Sequence, residues 1–196
     1  MEGGPQDTKL LVLPSRLVER LRASAARRGL SLSNYAVEAL EQALRAEAMG
    51  APLRDAVDLY LLGEVQRGAG AVQLPRSSLE RLVVELYPEM GEELRGAWSE
   101  AGRWYGAYLR AKLRGADILA FLERALLVSW NLDEAEVRDK GGAVALRLTS
   151  FVLSLESTEL LLSYVSGAMD SLGYDETGRD IMRGMARARY VRKRVR

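Results

Sequence analysis

The sequence predicts an α+β protein, in which a short N-terminal module precedes a larger domain with helices packed on a small antiparallel sheet. Three observations carry this prediction. A β-rich run ends in a proline within residues 8–14, apolar residues then recur at helical spacing to about residue 130, and the period falls to two after Asn131. We assign residues 1–50 to the module and residues 51–196 to the domain.

The composition excludes several kinds of chemistry. The chain has 196 residues, of which 48% are hydrophobic and 28% charged, the balance of a globular protein. It contains no histidine and no cysteine, which excludes His-based catalytic triads, thiol nucleophiles and thiolate-bound zinc. No apolar run approaches the roughly 18 residues that span a bilayer, and residues 1–5 do not resemble a signal peptide. We expect a cytoplasmic protein that is not an enzyme, with no metal, cofactor or membrane partner.

Charge is distributed unevenly along the chain. The net charge is +1, yet residues 51–182 carry 14 basic and 21 acidic groups, whereas residues 183–196 carry seven basic and no acidic ones. The middle of the chain therefore repels polyanions, so attraction to phosphate must come from the two ends. Arginine supplies 24 of the 28 basic residues and Asn and Gln are scarce, which favours a thermophilic source.

The N-terminal module is predicted to contain one edge strand and two short helices. Thr8-Lys-Leu-Leu-Val-Leu-Pro14 is a short β-rich run that ends in proline. A helix capped by Ser15 ends at Gly29, and Ser31 begins a second helix that fades near Ala48. A lone strand leaves both of its edges unpaired. We therefore expect a homodimer, in which the N-terminal strands of two chains pair as an antiparallel ribbon.

The same residues resemble the ribbon-helix-helix family of DNA-binding repressors. The resemblance spans residues 8–47 and rests on Leu11-Val-Leu-Pro14, Leu17, Leu21, Gly29-Leu-Ser-Leu-Ser-Asn-Tyr35 and Glu38-Ala-Leu40. It implies a ribbon that lies in the major groove of DNA, with its outward side chains on base edges. The expected fold is thus a ribbon-helix-helix dimerisation module followed by an α+β domain.

Eight residues of the module are candidates for DNA binding, three on the outward face of the ribbon and five around the start of the second helix: Thr8, Leu10, Val12, Arg27, Arg28, Ser31, Ser33 and Asn34. Two of the three ribbon side chains are aliphatic, so they can touch a thymine methyl but cannot make bidentate hydrogen bonds. The helix start offers backbone donors to phosphate. A ribbon that serves dimerisation alone, and serines that only cap the helix, are the alternatives.

The larger domain follows a linker at residues 49–52. In chain order we predict a helix over 52–67, a short strand at 71–75 and three helices over 79–87, 92–114 and 117–130. A β-hairpin over 134–149, a helix that ends near 172 and a last strand over 186–195 follow. A Ser77-x-x-Glu80 capping box is expected to open the second helix and Pro88 to end it. Ser157 or Thr158 is expected to cap the last helix.

This domain resembles the 4-vinyl-reductase-like superfamily over roughly residues 60–195. The resemblance rests on Gly70-Ala-Val-Gln-Leu-Pro-Arg-Ser-Ser78, on Ala101-Gly-Arg-Trp-Tyr-Gly106 and on the later order of helix, hairpin, helix and strand. Relatives include ligand-sensing domains of nitric oxide and aromatic-compound signalling and a subunit of the TRAPP vesicle-tethering complex. The Cys and His residues that hold metal or lipid in relatives are absent here, so zinc, haem and acyl-cysteine are not carried over.

A helix rich in aromatic residues and glycine supplies the candidate ligand site. Gly96, Gly102 and Gly106 permit close approach of another element, and Trp98 and Tyr105 lie seven residues apart on one face. These two aromatic residues are predicted to line an apolar pocket for a small effector together with Phe121, Trp130, Phe151 and Tyr164. Packing of the same side chains into a filled core is the alternative.

These features together predict a homodimeric DNA-binding transcriptional regulator with a C-terminal ligand-sensing or oligomerisation domain. The alternative is an interaction or scaffold protein that uses the ribbon-helix-helix only for dimerisation and does not bind DNA. An enzyme ranks third, because no acid–base apparatus is evident in the sequence.

Overall fold

A computed structural model of the chain describes residues 9–50, 52–114 and 117–194. In order, these residues form α1 (Ser15–Arg27), α2 (Leu32–Ala48), α3 (Leu53–Gly68), α4 (Arg76–Lys112), α5 (Ile118–Ser129), β1 (Glu134–Lys140), β2 (Ala143–Thr149), α6 (Leu155–Ser171), β3 (Tyr174–Met182) and β4 (Met185–Arg192). The predicted α+β class is confirmed. The chain divides into a first unit, Met1–Leu61, and a second unit, Leu62–Arg196.

The four strands form one antiparallel sheet in the order β1-β2-β4-β3. Strand β2 alternates buried residues such as Val144 and Leu146 with exposed ones, and β4 does the same with Ala188 and Tyr190. This alternation is typical of a sheet with one face on the core and the other in solvent. Helices α5 and α6 pack on the sheet and α4 packs on α6. No helix in the described ranges combines the length and apolarity needed to cross a membrane.

The sequence predicts one C-terminal strand where the structure has two. The β1–β2 hairpin and the terminal strand β4 were expected, but Tyr174–Met182 also forms a strand, β3, at the edge of the sheet. Its pairing with β4 shifts register between Glu176 and Gly178. A polar edge strand with an irregularity shows no clean two-residue period, which is why its pattern was missed.

Helix α4 consists of two helical segments that meet at Met90, whose φ of −121° and ψ of 16° are non-helical. The break that the sequence predicts after residue 87 is therefore present, two residues beyond Pro88. A proline inside a helix removes one helical hydrogen bond and kinks the backbone. Helix α4 also starts one residue before the predicted capping serine, because Pro75 occupies its N-cap position.

Two further local predictions for this domain are wrong. Residues 71–75 form no strand. Helix α6 is capped by Ser154, whose hydroxyl accepts a hydrogen bond from the Ser157 backbone N–H at 3.1 Å, and not by Ser157 or Thr158. Both of those side chains are buried within the first turns of the helix. The cap therefore lies three residues earlier than the sequence pattern indicated.

The N-terminal strand predicted for residues 8–14 is absent from residues 9–14, and Thr8 lies outside the described residues. Helix α1 begins at Ser15, and the Pro14 carbonyl accepts the first helical hydrogen bonds from Leu17 and Val18. No extended segment of the described first unit lies alongside residues 9–14 to pair their backbone groups. The predicted ribbon-helix-helix architecture is therefore not what the structure shows, and the unit contains the helical hairpin α1–α2.

Helices α4 and α6 approach until their backbones touch. A Cβ atom added at Gly102 would overlap the carbonyl oxygen of Tyr164, and one added at Gly106 would overlap the backbone of Ala168. On the other helix, a Cβ at Gly167 would overlap the carbonyl oxygen of Ser99. Of the three glycines of α4 at which the sequence predicts close approach, Gly102 and Gly106 make it. Gly96 does not, because a Cβ added there would have nothing within 4 Å.

We expect Gly102→Ala and Gly167→Ala each to lower the free energy of unfolding by at least about 1–3 kcal/mol, because the added methyl meets rigid backbone. The matched control Gly96→Ala, also in α4, should raise it by up to about 1 kcal/mol, since alanine favours a helix and meets no obstacle here. Denaturant unfolding followed by circular dichroism measures all three. Equal effects of the three substitutions would contradict backbone contact between α4 and α6.

Candidate functional site

A cavity of about 1040 Å³ lies within the second unit. Its wall is built from the C-terminal part of α3, the connecting residues 69–74, helices α4 and α5, and Tyr164 of α6. Gly70, with φ +70°, lies in the connection that follows α3 and turns the chain away from the helix. Because the cavity is bordered by four helices and an irregular segment, its shape depends on how closely those helices pack.

The floor of the cavity is apolar. Tyr105 from α4 and Leu122, Ala125 and Leu126 from α5 line it, and all four are buried. Three more aromatic side chains complete the wall: Trp104, Trp130 and Tyr164. Aromatic walls of this kind bind flat apolar molecules through stacked or edge-to-face contacts.

The rim of the cavity is polar and nearly uncharged. Gln66, Gln73, Ser129 and Asn131 line it, and the Gln66 side chain donates a hydrogen bond to the Ser129 hydroxyl. The lining residues of the described chain include no Asp or Glu. Their one charged member is Arg67, which is paired with Glu64 at 3.0 Å. The arrangement can hold an apolar molecule whose polar end points to solvent.

An aromatic cluster joins the helices around the cavity. The Trp130 ring centroid lies 5.3 Å from that of Trp98 and 5.5 Å from that of Tyr164, with both pairs inclined at 52°. The Tyr105 and Tyr164 centroids are 5.8 Å apart. Trp130 directly follows the last residue of α5, so the end of that helix places its ring between α4 and α6.

Burial sets the protonation of the two cavity tyrosines. It raises the pKa of Tyr105 to about 12, with a smaller contribution from Tyr108, and it raises the pKa of Tyr164 further, with a smaller contribution from Tyr105. Both phenols are therefore neutral at physiological pH. Neither hydroxyl makes a hydrogen bond within the described part of the chain, so both can donate to a bound molecule.

Of the residues proposed from sequence to line a ligand pocket, Tyr105, Trp130 and Tyr164 line the cavity. Trp98 contacts the Trp130 ring without lining the cavity. The others lie elsewhere: Phe121 is partly buried against the hydrophobic core, and Phe151 is 82% exposed.

Sequence reasoning missed Trp104 and the polar rim. Trp104 precedes Tyr105 within the Gly102–Gly106 segment that the sequence had already singled out. The pairing of Gln66 with Ser129 joins residues 63 positions apart, and no local pattern indicates such a contact.

The candidate DNA-binding residues are engaged in contacts of the helical hairpin or carry aliphatic side chains. Arg28 pairs with Glu38 at 2.9 Å and lies 5.6 Å from the centroid of the Tyr35 ring. Arg27 donates to the Ser24 hydroxyl at 2.9 Å. Ser31 caps α2, because its hydroxyl accepts a hydrogen bond from the Asn34 backbone N–H at 3.1 Å. The other described candidates, Leu10, Val12 and Ser33, are exposed.

Comparisons with known proteins find H-NOX domains among the similar solved structures. No protein-family model matches the sequence, and no curated protein matches it. The chain is similar to an oxygen-binding H-NOX domain related to soluble guanylate cyclases, in its oxygen complex, with 14% identity, a TM-score of 0.37 and coverage of 70% of this chain and 86% of that one. It is similar to a structure from a study of haem distortion in the H-NOX family, with 15% identity, a TM-score of 0.39 and coverage of 72% and 89%. A third, from work on the mechanism of H-NOX activation, has 13% identity, a TM-score of 0.39 and coverage of 72% and 91%.

The prediction of a ribbon-helix-helix DNA-binding transcriptional regulator is wrong. Residues 9–14 form no strand that could enter a groove, and the residues that follow them form the helical hairpin of α1 and α2. Leu10 and Val12 also offer no hydrogen-bonding side chain to bases. The alternative, a ribbon used only for dimerisation, requires the same strand and is not supported either. The homodimer itself stays a prediction.

We expect Tyr105 and Tyr164 to ionise later than ordinary phenols in an alkaline titration followed by tyrosinate absorbance. Their folded pKa values lie above the ordinary 10.0. The stabilisation of the folded state that comes from these two protonated phenols is therefore complete below about pH 10. It is lost as the pH rises through the folded-state pKa of each phenol, which is about 12 for Tyr105. Tyr105→Phe and Tyr164→Phe should each remove part of the late phase. Complete titration of all tyrosines near pH 10 in the folded protein would contradict this.

Proposed function

We propose that the second unit binds a small, largely apolar molecule in the cavity between α3, α4 and α5. The observation that carries this proposal is the contrast between a buried apolar floor and an uncharged polar rim. Ligand sites are concave and mostly apolar, with a few placed polar groups that set orientation. The cavity, at about 1040 Å³, matches the upper end of the usual range for such sites, about 300–1,000 Å³.

The lining favours a flat or aromatic ligand with one polar end. Trp104, Trp130 and Tyr164 line the cavity, and aromatic rings pack well against flat apolar molecules. The neutral phenols can donate a hydrogen bond to an acceptor on the ligand, and the Gln66 and Ser129 side chains can exchange their mutual bond for bonds to its polar end. A strongly anionic ligand is disfavoured, because Arg67 is already paired.

We propose a binding role without catalysis. Chemistry at a site of this kind needs a group that takes or gives protons near neutral pH, or an activated nucleophile. The chain has no His or Cys, the described lining has no carboxylate, and burial keeps Tyr105 and Tyr164 protonated. The lining thus supports recognition of a molecule rather than its conversion.

Haem does not fit the cavity as an iron-ligated group. The similar H-NOX structures come from work on haem, but protein haem iron is held by His, Cys, Met or Tyr. The sequence lacks the first two, and no methionine is among the residues that line the cavity. The remaining choice is a phenolate, which the raised pKa values of Tyr105 and Tyr164 oppose. The residues of the cavity therefore do not fit an iron-ligated haem.

The connection at residues 69–74 offers a way for binding to change the protein. Val72 and Leu74 line the cavity, yet they are 80% and 60% exposed. A ligand that fills the cavity would give these side chains an apolar surface to cover, so that binding and ordering of the segment are coupled. This coupling is the property that a sensing domain requires.

We expect 2-naphthol, a flat aromatic probe with one hydroxyl, to bind the full chain and to change its tryptophan fluorescence. Ala101→Phe places a ring in the cavity and should weaken binding by at least about tenfold, a change of about 1.4 kcal/mol. The matched control Ala107→Phe adds the same ring at another exposed position of α4, outside the cavity lining, and should leave the affinity unchanged.

Isothermal titration calorimetry provides the affinities, and circular dichroism verifies that both variants are folded. Failure of 2-naphthol and of a series of larger aromatic alcohols to bind the wild type would overturn the proposal. Equal weakening by the two variants would show that the probe binds elsewhere.

A further inference from the structure

The hairpin of α1 and α2 in the first unit buries very few of its side chains. Among the described residues 9–50, only Ala25 and Ala46 are buried. Large apolar side chains remain exposed, including Leu10, Val12, Leu17, Val37, Leu40 and Leu44. Amphipathic helices gain most of their stability from packing of the apolar face, which this hairpin lacks. The apolar face of the hairpin is therefore available to another surface.

The exposed apolar residues form a continuous stripe on α2. Val37, Leu40 and Leu44 are spaced at i, i+3 and i+7, so they share one face of the helix, and they are 52%, 53% and 66% exposed. Ala46, the buried residue of α2, lies on the opposite side of the helix. The spacing is that of a seam at which two helices interdigitate.

The charges of the hairpin indicate what covers this stripe. Helix α1 carries four arginines and one glutamate, whereas α2 carries three glutamates and one arginine. Arg16 and Arg20 on α1, and Glu41 and Glu47 on α2, have no ion-pair partner within the described residues. The basic surface of one hairpin is thus complementary to the acidic surface of another of the same kind.

We propose that the α1–α2 hairpin is an interface between two copies of this chain. The α2 stripes of the two copies pack on each other about a two-fold axis, and the basic α1 of one copy lies beside the acidic α2 of its partner. Such an interface is self-complementary, as two-fold symmetry requires. It is formed by helix faces, does not depend on paired N-terminal strands, and is independent of the ligand cavity.

Sedimentation velocity and equilibrium of the full chain test this proposal. The wild type should be a dimer. Leu40→Glu/Leu44→Glu should raise its dissociation constant at least about a hundredfold, because the change removes two leucine side chains from the buried contact between the two α2 helices. The control Leu82→Glu/Leu86→Glu makes the same change at i, i+4 on α4, where the leucines are 54% and 44% exposed. It should leave the dissociation constant unchanged.

Charge reversal tests the arrangement of the two hairpins. Glu41→Arg/Glu47→Arg should weaken the dimer, and addition of Arg16→Glu/Arg20→Glu in the same chain should restore it, since the opposite charges then face each other again. A monomeric wild type at all concentrations, equal weakening by the α2 and α4 leucine pairs, or no recovery in the fourfold variant would each overturn the proposal. Far-UV circular dichroism ensures that each variant retains its helices.

Discussion

Backbone contact between α4 and α6 is the constraint on which the second unit depends. Gly102 and Gly106 on one helix, and Gly167 on the other, leave no room for a Cβ atom. Helix α6 therefore lies as close to α4 as two helices can, while its other side packs on strands β3 and β4. A wider separation would leave side chains of α6 without contacts on one side or the other, and buried voids are costly.

The same contact determines the geometry of the cavity. Tyr105 lies between the two glycines of α4, and Tyr164 lies one helical turn before Gly167, so close packing of the helices brings their rings within 5.8 Å. The Trp130 ring then reaches Tyr164 from the end of α5. The cavity exists because α5 and the connection after α3 do not fill the space beside these rings. Its apolar floor is thus a by-product of core packing, and its polar rim comes from the segments that surround that core.

The sequence predicts those features that depend on neighbouring residues. The β1–β2 hairpin, the cap at Ser31 and the aromatic character of the site around Tyr105 and Trp130 all follow from local spacing or from residue type. It does not predict features that depend on distant contacts. The contact between Gln66 and Ser129, for example, joins two helices that are far apart in the chain.

The resemblance of residues 8–47 to ribbon-helix-helix repressors also has a local explanation. The motifs on which it rests are signals for the start and end of a helix. Pro14 stands at the N-cap of α1, Gly29 has φ +67° after its last turn, and Ser31 caps α2. The Leu30 N–H reaches back to the Ala25 carbonyl, as expected where a helix ends in a left-handed residue. Any two helices joined by a four-residue turn of this kind favour this sequence, whatever the function. The sequence pattern therefore specifies a helical hairpin and not a function. The partner of the hairpin is determined by its surface, which is apolar on α2 and carries opposite charges on the two helices.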